Sequence, residues 1–167
     1  MKKIILVLTG FLWIILNCST VFCNPEWYIK LKRIELLKSS YDTIVEMYGE
    51  PANSNGKILK KFETPDGDLF VTFSTGKCGT EYKKGYDVNE GIVERLEFSI
   101  KKKSRVKPKK LGFNLSQFEK TEVQDVPGIY VYENSDAGIF IGTDKNGLVD
   151  EIDFQPSSRF DDLYCGN

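Results

Sequence analysis

Gly91-Ile92-Val93-Glu94-Arg95-Leu96-Glu97-Phe98 recurs 56 positions later as Gly147-Leu148-Val149-Asp150-Glu151-Ile152-Asp153-Phe154. Gly, Val and Phe are identical, and four other positions keep their chemical type. Ile92, Leu96, Phe98 and Ile100 alternate with Arg95, Glu97 and Ser99, the period of a strand with one dry face. Upstream, Phe62-Glu63 through Asp66 to Leu69-Phe70-Val71 returns 70 positions later as Tyr132-Glu133 through Asp136 to Ile139-Phe140-Ile141. The two displacements differ, so the first copy holds 14 extra residues between Phe73 and Gly91.

The pattern predicts an α+β fold of two tandem units, each a short helix, an antiparallel hairpin and a closing strand. Unit one covers 31–100, a basic linker 101–110, unit two 111–156 and a C-terminal tail 157–167. A unit of this size cannot bury its apolar face alone, so two are expected to pack together or pool one sheet. In unit one, Ser39 with Asp42 approximates a capping box. Ile44, Val45 and Tyr48 then mark one helical face, and Gly49 and Pro51 end it. Strands are predicted at Ile58–Glu63 and Leu69–Phe73, joined by the turn Thr64-Pro65-Asp66-Gly67. In unit two, Asn114–Glu122 is predicted to be the helix, with Leu115 and Phe118 as its apolar face. Residues 25–37 fit a helix opened by Asn24-Pro25 or a strand over Tyr28–Ile34, and both stay open.

The N-terminal stretch reads as a secretory signal over 1–23. Lys2 and Lys3 are followed by the apolar run Ile4–Leu16 and a short polar stretch, with cleavage expected near Cys23–Asn24. Two alternatives are a lipobox acylated at Cys18 and an uncleaved membrane-spanning N-terminal helix. Cleavage leaves only Cys78 and Cys165 of the 4 cysteines. An even number in an oxidising compartment predicts a Cys78–Cys165 disulfide, two buried thiols being the alternative. The mature 24–167 segment is one domain's worth of chain. Of 23 basic and 24 acidic residues, loss of Lys2 and Lys3 leaves 21 against 24, a net charge near −3. That balance gives no general pull toward nucleic acid, and no nucleic-acid partner is expected.

The chain has no histidine, which removes Ser-His-Asp and Cys-His schemes and histidine-ligated metals. No phosphate-binding loop or CxxC pair is present, and neither cofactor nor metal is expected. Glu94 and Asp150 occupy matching positions on the apolar phase of their strands, where two carboxylates could act as acid and base of a small hydrolase. The bland reading has them at strand ends or turned outward by a bulge. Asp144-x-Asn146-Gly147 with Asp150 has calcium-loop residue types without the EF-hand spacing.

Two surface features invite contact. The inserted loop interleaves Tyr82 and Tyr86 with Lys83 and Lys84, suiting a protein-binding patch. Lys101, Lys102, Lys103, Arg105, Lys107, Lys109 and Lys110 put seven cations into ten residues. They fit an anionic membrane surface or a solvated linker.

Ser39-Ser40-x-Asp42, Gly49-x-Pro51 and the hairpins ending in Gly91-Ile92-Val93 resemble the SmpA/OmlA (BamE-like) outer-membrane lipoprotein domain, which groups by fold with β-lactamase inhibitor protein. Ile34–Ser40 with Asp42, Ser74-Thr75-Gly76-Lys77-Cys78 and the terminal Cys165 are similar to an uncharacterised family of small exported bacterial proteins. That family usually has Pro where Leu36 stands and Arg where Tyr41 stands. The resemblance implies the fold and a binding or assembly role, with no catalytic residues. The expectation is an exported, non-enzymatic protein of the periplasm or the outside, with a protein partner. A secreted enzyme inhibitor is the alternative, and a carboxylate hydrolase a more distant one.

Overall fold

A computed structural model describes residues 24–52, 56, 58–79 and 85–165. The leader, its cleavage site and Cys18 lie outside the described residues. The question left open at 25–37 resolves to helix α1 at Glu26–Leu31. Pro25 is its N-cap and accepts backbone bonds from Tyr28 and Ile29 at 3.0 and 3.1 Å. Trp27, Tyr28 and Leu31 are buried, and this apolar stripe decides the helix over the strand. Helix α2, Tyr41–Tyr48, follows the sequence reading except at its cap. Ser40 Oγ accepts from Thr43 N, and Gly49 at φ 82° closes the helix.

The strands are β1 (Leu59–Glu63), β2 (Gly67–Phe73), β3 (Gly85–Tyr86), β4 (Val93–Ile100), β5 (Glu119–Glu122), β6 (Tyr130–Asn134), β7 (Ile139–Thr143), β8 (Val149–Phe154) and β9 (Tyr164–Cys165). Seven of them form one antiparallel sheet in the order β1-β2-β4-β8-β7-β6-β5, while β3 and β9 pair separately. The two similar stretches are therefore the central strands, β4 and β8, lying side by side. Leu96 faces Phe154, Glu97 faces Asp153 and Phe98 faces Ile152. The outer pairings match too. Leu69 and Val71 face Phe98 and Leu96, as Ile139 and Ile141 face Phe154 and Ile152.

Both helices lie against one phase of this sheet. Trp27 stacks on Phe98 at 5.1 Å, Tyr41 meets Phe73 edge-on at 5.4 Å, and Tyr48 tilts over Phe62. Phe62, Leu69, Val71, Val93, Leu96, Phe98, Ile100, Ile141, Val149 and Ile152 complete the core. Each such side chain, fully buried, contributes about 1.5–3 kcal/mol. The segment between the helices is laced to β4: Leu37 N donates to Val93 O at 2.7 Å, and Val93 N to Ser39 O at 2.9 Å.

The helix predicted over Asn114–Glu122 is absent. Asn114 caps one 3-10 turn, Leu115–Gln117, and Glu119–Glu122 then pairs with β6 as the sheet's edge. Leu115 and Phe118 span a single turn, too little apolar stripe for an isolated helix to persist. The expected layout of helix, hairpin and strand is thus incomplete in the second half. The 101–110 segment crosses from β4 to the second half of the sheet through 3-10 turns at Lys102–Ser104 and Pro108–Leu111. Val106 O receives Val149 N at 2.8 Å, and Leu111 is buried.

Candidate functional site

The face of the sheet away from the helices carries the polar phase of every strand. Register places Lys61, Phe70, Glu97, Asp153, Phe140 and Glu133 in one row across six strands. Glu97 and Asp153 form its centre, with Phe70 and Phe140 as flanking rings. Arg95, one step along β4, donates from Nε to both oxygens of Asp153 at 2.9 and 3.1 Å and from Nη2 at 2.6 Å. Gln155 Nε2 adds a third donor group at 2.7 Å. The Asp153 side chain is only 8% exposed while that of Arg95 is 47% exposed, so the carboxylate is fixed and the cation stays presented.

Glu63, Asp68, Glu97, Glu133, Glu151 and Asp153 share this phase with Lys61 and Arg95 as cations. The excess of carboxylates is felt at Glu151. Burial, then the charges of Glu97, Asp150 and Asp153, raise its pKa above the usual glutamate value, against the pull of Arg95. Lys61 is held by Asp68 at 2.9 Å and Glu63 at 3.1 Å. The result is an acidic surface with two aromatic rings set about an arginine. Sequence reasoning assigned the polar phase to solvent and missed this face. Its signal was Phe70 and Phe140, which break the alternation by placing a ring among polar neighbours.

The carboxylates matched by sequence do not form an acid–base pair. Thr72 faces Arg95 while Phe73 faces Val93, leaving Glu94 as the extra residue of a β-bulge. Gly142 faces Glu151 while Thr143 faces Val149, and Asp150 is the extra residue of the second bulge. Both side chains leave the apolar phase at the bulge. Glu94 accepts from Tyr86 N at 3.0 Å, and Asp150 lies 3.8 Å from the Arg105 guanidinium. The register puts them at opposite ends of the β4–β8 ladder, about six residues or ~20 Å apart. Asp144 builds its own turn, accepting from Asn146 N and Leu148 N at 2.8 and 3.1 Å. Arg105 sits 3.1 Å from it, where a cation would otherwise lie.

Cys78 and Cys165 form the expected disulfide, with Cα atoms 5.7 Å apart. It fastens the start of the inserted loop beside the β3–β9 pair, where Tyr86 and Tyr164 meet edge-on at 5.3 Å. Tyr82, Lys83 and Lys84 lie outside the described residues, so of that candidate patch only Tyr86 is placed. It packs against the C-terminal strand, with its backbone bonded to Glu94.

The basic run divides in two. Lys101 Nζ reaches Thr64 O at 2.6 Å, Lys107 Nζ reaches Asn146 O, and Arg105 serves Asp144 and Asp150. These are structural clasps. Lys102, Lys103, Lys109 and Lys110 are exposed on the two 3-10 turns.

No family model matches the chain and no curated protein matches it. Neither comparison therefore supports the resemblance to the SmpA/OmlA domain or to β-lactamase inhibitor protein. Among solved structures the chain is similar to a DUF4309 family protein (YjgB) from Bacillus subtilis subsp. subtilis str. 168. The identity is 11%, the match covers 74% of this chain and 82% of that one, and the TM-score is 0.45. The disulfide is compatible with an exported protein. Among the described residues no helix is long and apolar enough to cross a membrane.

Proposed function

We propose that this protein is an exported, non-enzymatic binding module that engages a protein partner through the open sheet face. The observation that carries the reading is the row Phe70–Glu97–Asp153–Phe140 with Arg95 clasped at its middle. Aromatic rings and arginine are the side chains most enriched at interface centres. A sheet surface already held by hydrogen bonds loses little entropy on docking. The carboxylate excess favours a partner that presents cations.

The same reading takes the chain as two copies of one module, in the manner of the SmpA/OmlA-like and inhibitor-like layout. Matching registers and the matching bulges at Glu94 and Asp150 support it. A second reading, inhibition of a partner enzyme, draws on the inserted loop. Cys78 and Tyr86 hold that loop at its two ends.

The test is a photocrosslinking residue at position 140, or at the exposed Ile29 as control, in the producing cell. A discrete adduct at 140, missing at 29 and abolished by Arg95→Glu, is the expected result. Equal labelling at both positions would remove the open face from consideration.

A further inference from the structure

Leu69 faces Phe98 across β2 and β4, and Ile139 faces Phe154 across β7 and β8. The two pairs hold matching places in the sheet, on the phase that carries the helices, yet they are covered differently. Leu69 and Phe98 are 0% and 1% exposed, with the Trp27 ring of α1 stacked on Phe98. Ile139 and Phe154 are only partly buried, and among the described residues no helix of the second half lies over them. What remains there is a cleft of about 200 Å3, with Leu31, Leu36, Leu96, Ile139 and Phe154 in its walls. On one side Glu35 N donates to Ser39 Oγ at 2.9 Å and Leu37 N to Val93 O at 2.7 Å. On the other, Gln155 N donates to Gly138 O at 2.8 Å. These bonds tie the two walls to β4 and to the end of β8, so the cleft belongs to the folded frame.

We propose that this cleft binds a small aromatic carboxylic acid, its ring where Trp27 stands in the first half and its carboxylate at Lys32. An apolar cavity of about 150 Å3 holds a benzene ring, so the volume suits one ring with a short side chain. Apolar walls hold a ring, and a few polar groups orient it. Two polar side chains line the cleft, Lys32 and Gln155. Gln155 Nε2 is already spent on Asp153 at 2.7 Å. The Lys32 ammonium lies 5.7 Å from the Tyr28 ring centroid, near the outer limit of a cation–π contact. Lys32 is the one cation on the lining, and no carboxylate stands there with it. That sets the sign of the ligand's polar end. Ile139 and Phe154 lie on the opposite phase from Phe140 and Asp153, so this site and the open face are on different sides of the sheet and can fail separately.

The experiment titrates the disulfide-bonded protein, labelled for methyl NMR, with phenylpropionate and with its uncharged counterpart phenylpropanol. Both are expected to shift the methyl signals of Leu36, Leu96 and Ile139 saturably. The signals of Leu59 and Val126, exposed elsewhere, should stay in place. The acid should bind about threefold more tightly than the alcohol, an advantage that high salt removes. Lys32→Gln should abolish that advantage and leave the alcohol's affinity unchanged, while Lys60→Gln on β1 should keep it. Ile139→Phe, which sets a ring into the cleft from its own wall, should weaken both probes on the order of tenfold. If that variant does not fold, the surface change Lys32→Gln still decides. Shifts that spread equally to Leu59 and Val126, an absence of saturable shifts, or an acid preference that survives in Lys32→Gln would each overturn the proposal.

Discussion

Arg95 on β4 grips Asp153 on β8 with three hydrogen bonds, at 2.6, 2.9 and 3.1 Å. The bond crosses the seam between the two halves of the sheet, and its two ends differ in exposure. The Asp153 side chain is nearly covered and that of Arg95 is half open. Removing the cation leaves a buried carboxylate with Gln155 as its remaining side-chain donor, whereas removing the charge from Asp153 leaves an arginine that water can solvate. Arg95→Ala should therefore cost roughly 2 kcal/mol and Asp153→Asn about 1 kcal/mol. Urea unfolding of both variants and the double variant gives the coupling. Equal costs would mean that the carboxylate is better solvated than its surroundings imply.

The Cys78–Cys165 bridge closes a loop of 87 residues. Chain entropy assigns such a closure up to about 4–5 kcal/mol. Denaturant midpoints with and without reductant should differ accordingly, and Cys165→Ser should reproduce the reduced value. The loss should fall first on the β3–β9 pair, so amide exchange at Tyr86 should quicken before exchange at Leu96.

Two glycines separate conformational strain from collision. Gly112 has φ 79° with nothing within 4 Å of an added Cβ. Gly138 has φ 67°, and an added Cβ would meet the backbone of Gln155 and Ser157. Gly112→Ala should cost about 1 kcal/mol. Gly138→Ala must also push apart the β7 turn and the strand end behind it, and should cost clearly more. Thermal unfolding of the two variants ranks them.

Stability should pass through a shallow acid optimum. Burial raises Asp150 above 3.8 and Glu151 above 4.5. Their ionised forms cost stability above those raised values, and the cost is relieved as pH falls through them. Asp144 behaves oppositely. Burial would raise it, but bonds from Leu148 N, Asn146 N and Arg105 hold it below 3.8. Its stabilisation is present above 3.8 and lost as pH falls through the lower folded value. Unfolding free energy followed from neutral pH downward should rise slightly and then drop. Asp144→Asn should soften the drop, and Glu151→Gln should flatten the rise.

Phe62, Val71, Leu96 and Ile152 were legible as core because alternation puts them on one phase, and burial follows phase. Gly49 and Pro51 marked the end of α2 for reasons confined to the local chain. The bulges were not legible. A strict period of two put Glu94 and Asp150 on the dry side, and only the partner strand reveals the extra residue. The missing second helix has the same origin. Glu119–Glu122 has no apolar stripe of its own, and its strand character comes from pairing with β6. The open face needed the order β4-β8 at the centre of the sheet, which no local pattern specifies. Once that order is known, Phe70 and Phe140 fall symmetrically about Glu97 and Asp153.

The central seam also sets an order of assembly. β8 begins at Val149, 49 residues after β4 ends at Ile100. Through that interval a nascent or truncated chain presents β4, with Leu96, Phe98 and Ile100, as an uncapped strand edge. Such edges recruit other chains. A product ending before Val149 should therefore be an aggregation seed rather than half a functional domain, and chaperone protection is most needed over that stretch of synthesis.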